Sequence, residues 1–168
     1  GAGFGEKYLG FLSPVDYLES NYSAEFSTVE DFEKIDEGIY TLANVPMTNA
    51  FESIPDALKV KDNDTYHKDT LEDDLSLILE TEKGLVVVLG CAHRGMINIC
   101  EEAIKRCNKN IYAVIGGTHT QAADEKRLTS IVEFIRDQNI AVFAPNHCTG
   151  FDKLAYFKNN LDDIFTPA

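Results

Sequence analysis

Apolar and polar positions fall into two regimes along the chain, and the second is the more regular. Asp74-Leu-Ser-Leu-Ile-Leu79 alternates and then turns apolar, the pattern of a strand. Lys83-Gly84 supplies a turn, and Leu85-Val-Val-Val-Leu89 follows as a β-branched run of the kind buried on both faces. Together they predict a hairpin in the middle of a sheet. Met96, Ile97, Cys100 and Ile104 then recur at helical spacing, with Glu101/Lys105 and Glu102/Arg106 as i,i+4 pairs on the wet side. Ile111 to Ile115 predicts a further strand. A second helix begins after Thr120, carries Asp124 and Glu125 in its first turn, and presents Leu128, Ile131, Val132 and Ile135 on one face. Ile140 to Phe143 predicts another strand. Thr149-x-x-Asp152 is a capping-box pattern, opening a last helix that buries Leu154, Phe157 and Leu161. The order strand, strand, helix, strand, helix, strand, helix is that of an α/β layered unit.

The first regime is less regular. Ser13-Pro14 with Val15, Tyr17 and Leu18 predicts a short helix. Asp36-Glu-Gly38 can turn a hairpin between Phe32–Ile35 and Ile39–Leu42. Residues 52–73 are acidic and polar and predict a surface excursion. The chain therefore divides into an irregular α+β segment with an acidic loop, 1–72, and an α/β unit, 73–168, within one structural domain.

Composition narrows the class. A chain of 168 residues with 44 % apolar and 26 % charged residues reads as a soluble globular protein, able to bury a core without disulfides. The longest apolar run, 85–92, is far short of the ~18–20 residues of a membrane span, and no secretory leader pattern opens the chain. The net charge is −13, and residues 1–74 hold 17 acidic against 5 basic side chains. Such a chain repels phosphate backbones, so neither nucleic acid nor membrane is an expected partner. Cys91, Cys100, Cys107 and Cys148 show no Cys-x-x-Cys spacing, which excludes a zinc ribbon or thioredoxin-like pair and makes a reducing cytoplasm the expected location.

Candidate chemistry gathers at three strand ends. His93 follows the strand ending at Leu89, His119 the strand ending at Ile115, and His147 the strand ending at Phe143. Strands joined by crossover helices run parallel, so these ends share one edge, where α/β proteins place their sites. One strand-end histidine is ordinarily a cap or a hydrogen-bonded loop residue. Three in succession, each flanked by glycine within three residues, instead suggest a transition-metal site. His67, in the acidic loop, reads as a surface histidine. Cys91 and Cys148 could each be a thiolate ligand or a small buried filler, Cys100 reads as core, and Cys107 as structural or exposed.

Asp73-Asp-Leu-Ser-Leu77, Gly84-Leu-Val-Val-Val-Leu-Gly-Cys-Ala-His-Arg-Gly-Met-Ile-Asn98, Ile115-Gly-Gly-Thr-His119 and Pro145-Asn-His-Cys-Thr-Gly150 resemble the metallo-β-lactamase superfamily. The branch they resemble is labelled as related to dihydropteroate synthase, or as ferredoxin-like metallo-hydrolases. Val45-Pro46 to Phe51-Glu52 is similar to the same branch, and Glu6 to Gly10 matches it weakly. The superfamily's His-x-His-x-Asp-His motif has no counterpart in the sequence. The resemblance thus implies the C-terminal half of an αββα sandwich, with a mixed sheet and helices on its outer face. The open inner face would carry Leu77, Leu79, Val86 or Val88, covered by residues 1–50, by a second chain or by the missing N-terminal half.

For function, the resemblance implies a metal-dependent hydrolase, with zinc or another divalent transition metal activating water toward an ester, lactone, amide or phosphodiester in a small-molecule substrate. It carries His93 and His147 over as metal ligands, with Cys91 at the place of the usual aspartate. His119 and Asp74 are the candidate proton-moving residues, and Arg94 and Thr149 the candidate substrate contacts. The expected activity and metal affinity of the chain alone are low. The alternative is a non-catalytic metal-binding or protein-interaction module on the same scaffold. A flavodoxin-like phosphate binder ranks last, because no Gly-x-Gly-x-x-Gly is present.

Overall fold

The computed structural model describes residues 13–166, and the weak match at Glu6 to Gly10 lies outside them. Helix α1 (Val15–Tyr22) starts after Pro14, whose fixed φ suits a helix entry, and buries none of its side chains. Strands β1 (Phe32–Asp36) and β2 (Ile39–Leu42) form the expected hairpin. The acidic stretch is more ordered than its composition suggests. Within it β3 (Lys59–Asp62) and β4 (Thr65–Lys68) pair as a separate ribbon, exposed throughout, and His67 is a surface residue beside the Thr65 hydroxyl.

The second regime follows its periodicity. Strands β5 (Ser76–Thr81) and β6 (Gly84–Leu89) form the central hairpin, followed by α2 (Met96–Cys107), β7 (Ile111–Gly117), α3 (Glu125–Asp137), β8 (Val142–Asn146) and α4 (Phe151–Asn160). The six-stranded sheet has the order β1-β2-β5-β6-β7-β8. Pairing is antiparallel as far as β6 and parallel across β6, β7 and β8, a mixed sheet as expected. Strand β2 pairs with β5 through Thr41 and Leu77, so one sheet runs through both parts of the chain.

Three element starts depart from the sequence pattern. Strands β5 and β8 each begin two residues later than the expected Asp74 and Ile140. Helix α4 starts at Phe151 with Gly150 as its cap residue and no side-chain cap, so the Thr149-x-x-Asp152 capping box does not form. The Thr149 hydroxyl is instead taken by Thr118 at 3.0 Å. Leu154 is only half-buried, whereas Phe157 and Leu161 are buried.

The core sits on one face of the sheet. Ile78, Leu85, Val87, Leu89, Val114 and Phe143 join Met96, Ile99 and Cys100 of α2, Leu128, Ile131 and Ile135 of α3, and Phe157 of α4 in one buried cluster. Phe143 and Phe157 meet edge-to-face with centroids 5.2 Å apart, and burying each such ring contributes about 1.5–3 kcal/mol. The opposite face carries Leu77, Leu79, Val86 and Val88, opposed in register as Leu77–Val88 and Leu79–Val86 and each half-buried. Beyond α4 the chain returns along β8. Phe143 donates to the Ile164 carbonyl and accepts from the Thr166 N–H, both at 2.9 Å. No helix among the described residues is long and apolar enough to cross a membrane.

Candidate metal centre

Because β6, β7 and β8 are parallel, the loops after them meet at one edge. There Cys91, His147 and Cys148 converge, their donor atoms all within 4.8 Å of one another. Cys91 Sγ lies 3.2 Å from His147 Nε2. A tetrahedral zinc with ordinary Zn–S and Zn–N bonds holds sulfur and nitrogen roughly 3.5 Å apart, so the spacing fits an ion of that kind. His147 Nδ1 is 2.5 Å from the Asn146 side-chain oxygen, an acceptor, which fixes the proton on Nδ1 and leaves the Nε2 lone pair free to ligate. Cys148 Sγ accepts the His119 N–H at 3.2 Å and donates to the Cys91 carbonyl at 3.4 Å. Gly117 makes room for this cradle: a Cβ there would lie 2.6 Å from Cys148 Sγ. Burial, and then the neighbouring Cys148, push the Cys91 thiol up to about 11, so a metal that binds must displace its proton.

His93 stands outside that trio. Ala92 before it adopts a left-handed φ of 53° and Gly95 after it a φ of 101°. The imidazole packs edge-to-face on His119, with centroids 4.6 Å apart, and its Nδ1 lies 4.0 Å from Asp74 Oδ1. Asp74 is buried and accepts the Arg94 N–H at 3.0 Å. Burial raises its pKa more than that hydrogen bond and the His93 charge lower it. His119 is also left-handed, at φ 47°, and its Nδ1 is buried without a partner among the described residues. Burial, with His93, Arg127 and His147 nearby, depresses its pKa and keeps the ring neutral at pH 7.

The two expected substrate contacts are engaged within the protein. Arg94 donates through Nε to the Val45 carbonyl at 2.5 Å and through a terminal nitrogen to the Thr70 carbonyl at 2.7 Å, a brace between two loops. Thr149 is fully buried, bonded through its hydroxyl to Thr118 and through its carbonyl to the Thr120 hydroxyl.

Two residues matter more than their sequence context indicates. Cys148 completes the trio, and its one signal is adjacency to His147. Glu52 is buried, and its two carboxylate oxygens accept the Ile97 and Asn98 N–H groups, each at 3.0 Å, at the otherwise uncapped start of α2. It holds the 45–55 loop against the edge. There a cavity of about 350 Å³ opens beside the trio, lined by Phe51, His119, Arg127 and Cys148 among others.

No family model matches the chain. A 7,8-dihydropterin-6-methyl-4-(β-D-ribofuranosyl)-aminobenzene-5′-phosphate synthase of Methanocaldococcus jannaschii is 33 % identical over 132 residues, covering 76 % of this chain and 45 % of that protein. An uncharacterized protein of the same organism is 32 % identical over 156 residues, covering 89 % of this chain and 55 % of its own length. The chain spans about half the length of the curated relatives it matches. A crystal structure of a metal-dependent hydrolase of the β-lactamase superfamily superposes with a TM-score of 0.74 at 26 % identity, covering 84 % of this chain and 54 % of that one. The mixed sheet and its helical layer match the fold of that neighbour.

Proposed function

We propose that the chain provides one side of a metal-dependent hydrolytic site, with Cys91, His147 and Cys148 holding a divalent transition metal such as zinc. The observation that carries this is the convergence of two thiols and a correctly protonated imidazole at the carboxyl edge, on a scaffold like that of a metal-dependent hydrolase. A metal held there supplies Lewis acidity, which polarises a substrate oxygen and acidifies water toward neutral pH. The protein's own groups then divide the remaining work. His119 lines the adjacent cavity and, kept neutral, is the group that takes or returns a proton. Asp74 ties down the loop that carries Cys91 by accepting the Arg94 N–H, and its carboxylate lies 4.0 Å from His93 Nδ1.

The substrate classes are an ester, lactone, amide or phosphodiester. One relative is named as a synthase, so the reading commits to metal-assisted chemistry and not to a single reaction. Three protein donors are the number a catalytic zinc would use, with its remaining position left to water or substrate. The half-buried Leu77, Leu79, Val86 and Val88 face supports a partner, a complementary half-sandwich in cis or in trans, that brings further ligands.

Cobalt(II) titration of the chain tests the assignment. Thiolate-to-cobalt charge-transfer absorption is expected, weakened in C91S and C148S and lost in H147A. Cobalt binding without that band, or binding unchanged in H147A, overturns it. A band with no hydrolysis of model esters, even with the complementary half supplied, identifies a non-catalytic metal module instead.

A further inference from the structure

Arg127 lies on α3, where one turn of helix would ordinarily send an arginine into solvent. Here it is 93 % buried, with a relative exposure of 7 %. Of its five guanidinium N–H donors, one reaches an acceptor, the Thr118 carbonyl, at a long 3.4 Å. Its Nε is buried with no hydrogen-bond partner among the described residues. Among the described residues no carboxylate lies within ion-pair distance of it; Glu52 and Asp124 act on it only from farther away. The Asp124 carboxylate is spent elsewhere, accepting the Arg127 backbone N–H at 2.9 Å as the cap of α3. Burying a permanently charged fork with its donors unspent is costly, and a fold that retains one has a group that completes it.

The cavity beside the metal trio supplies the space. Arg127 lines it together with His119, Cys148, Gln121 and the Phe51 loop. A guanidinium is planar and presents paired donors that match two oxygens of a phosphate or carboxylate. Asp124 lines the same cavity, but its carboxylate is committed to the end of α3, so an incoming anion is received by the guanidinium and not by the helix terminus.

We propose that this cavity is an oxyanion subsite, in which Arg127 receives the phosphate or carboxylate of the molecule handled at the neighbouring Cys91–His147–Cys148 trio. It deepens the function proposed above and rests on it only for the adjacent chemistry; the anion subsite itself stands on Arg127 and the cavity. The preferred substrate is then one that carries an anionic group about one cavity width from the bond that is cut.

Nuclear magnetic resonance titration of the full chain, held metal-free by a chelator, tests the subsite with inorganic phosphate in one arm and acetate in the other. The expected result is a saturable shift of the Arg127 Nε–Hε signal and of the 118–124 amides, with the stronger arm naming the anion. Arg127→Lys keeps the charge but not the fork and is expected to bind about tenfold more weakly. Arg127→Met is expected to abolish the shift of the loop amides while raising Tm by roughly 2–4 °C, because an unpaired buried charge has been replaced by an apolar chain. The proposal is overturned if neither anion moves the Arg127 signal, if Arg127→Met binds as the parent does, or if Arg127→Met melts lower, which marks the residue as a strut. Since the chelator is present throughout, failure here leaves the metal assignment standing, and failure of the cobalt titration leaves this one standing.

Discussion

Glu52→Gln isolates what ties the early loop to the site. In the parent, both oxygens of the buried Glu52 carboxylate accept backbone N–H groups at the start of α2, from Ile97 and Asn98, and Asn49 donates to one of them at 2.9 Å. Glutamine has nearly the same shape but turns an NH₂ toward one of those donors. One bond is then replaced by a donor–donor contact, and the negative charge at the positive end of the helix is lost. Hydrogen bonds to charged groups contribute about 1.5–3 kcal/mol each, and a partly buried charge at a helix end up to about 2 kcal/mol. Allowing for relaxation, Glu52→Gln is expected to cost about 2–3 kcal/mol and Glu52→Ala about 3–5 kcal/mol, large against a typical total of roughly 5–15 kcal/mol. Urea unfolding followed by far-ultraviolet circular dichroism measures this directly, with the midpoint falling and the slope unchanged. A Glu52→Gln protein within about 0.5 kcal/mol of the parent would refute the idea that this carboxylate caps α2.

Gly117→Ala is expected to leave the dichroism spectrum intact but to weaken cobalt or zinc binding at least tenfold, since the new methyl collides with His147 and Cys148; unchanged affinity removes Gly117 from the cradle. Glu102 offers a pH test far from the metal trio. Burial works to raise its pKa, but hydrogen bonds from Lys105 and Arg106 and their charges outweigh it, so the net shift is downward. Its contribution is therefore complete above the unfolded value near 4.5 and is lost as pH falls through the lower folded value. Glu102→Gln is expected to lower stability by about 1–2 kcal/mol at pH 7 and to converge with the parent in acid, and a difference that persists at pH 2–3 contradicts that sign.

The layered order of the second half was readable because most elements carry their own period. Leu128, Ile131, Val132 and Ile135 mark one face of α3, whereas the unbroken run Leu85 to Leu89, read as buried on both faces, alternates only in the fold, with Leu85, Val87 and Leu89 in the core and Val86 and Val88 half-buried. The carboxyl-edge clustering followed from topology alone. What the sequence concealed depends on partners remote in the chain. Glu52 looks like any residue of an acidic loop, because the helix it caps begins some 45 positions later. Thr149 fits a capping box, yet Thr118 and Thr120, brought beside it by the parallel pairing of β7 and β8, claim it first. The donor atoms that converge include Cys148, read as either a ligand or a small filler, and not His93, which follows the left-handed Ala92 and packs on His119 with its Nδ1 4.0 Å from Asp74.

The two outer strands of the sheet are finished in different ways, and the difference bears on how the protein resists clumping. An unpaired strand border is an adhesive surface for foreign strands. On one side β1 is short, and Glu33, Lys34 and Asp36 are exposed along it, so an approaching backbone meets mixed charge. On the other, β8 carries the apolar sequence Val142-Phe-Ala-Pro, with no charge to repel a neighbour. That border is occupied by the protein's own residues 164–166, through two backbone hydrogen bonds at Phe143. Displacing that segment uncovers the Phe143 backbone and also withdraws Ile164 and Phe165, which pack against the core, so the same few residues guard the border against foreign strands and contribute to the fold's own stability.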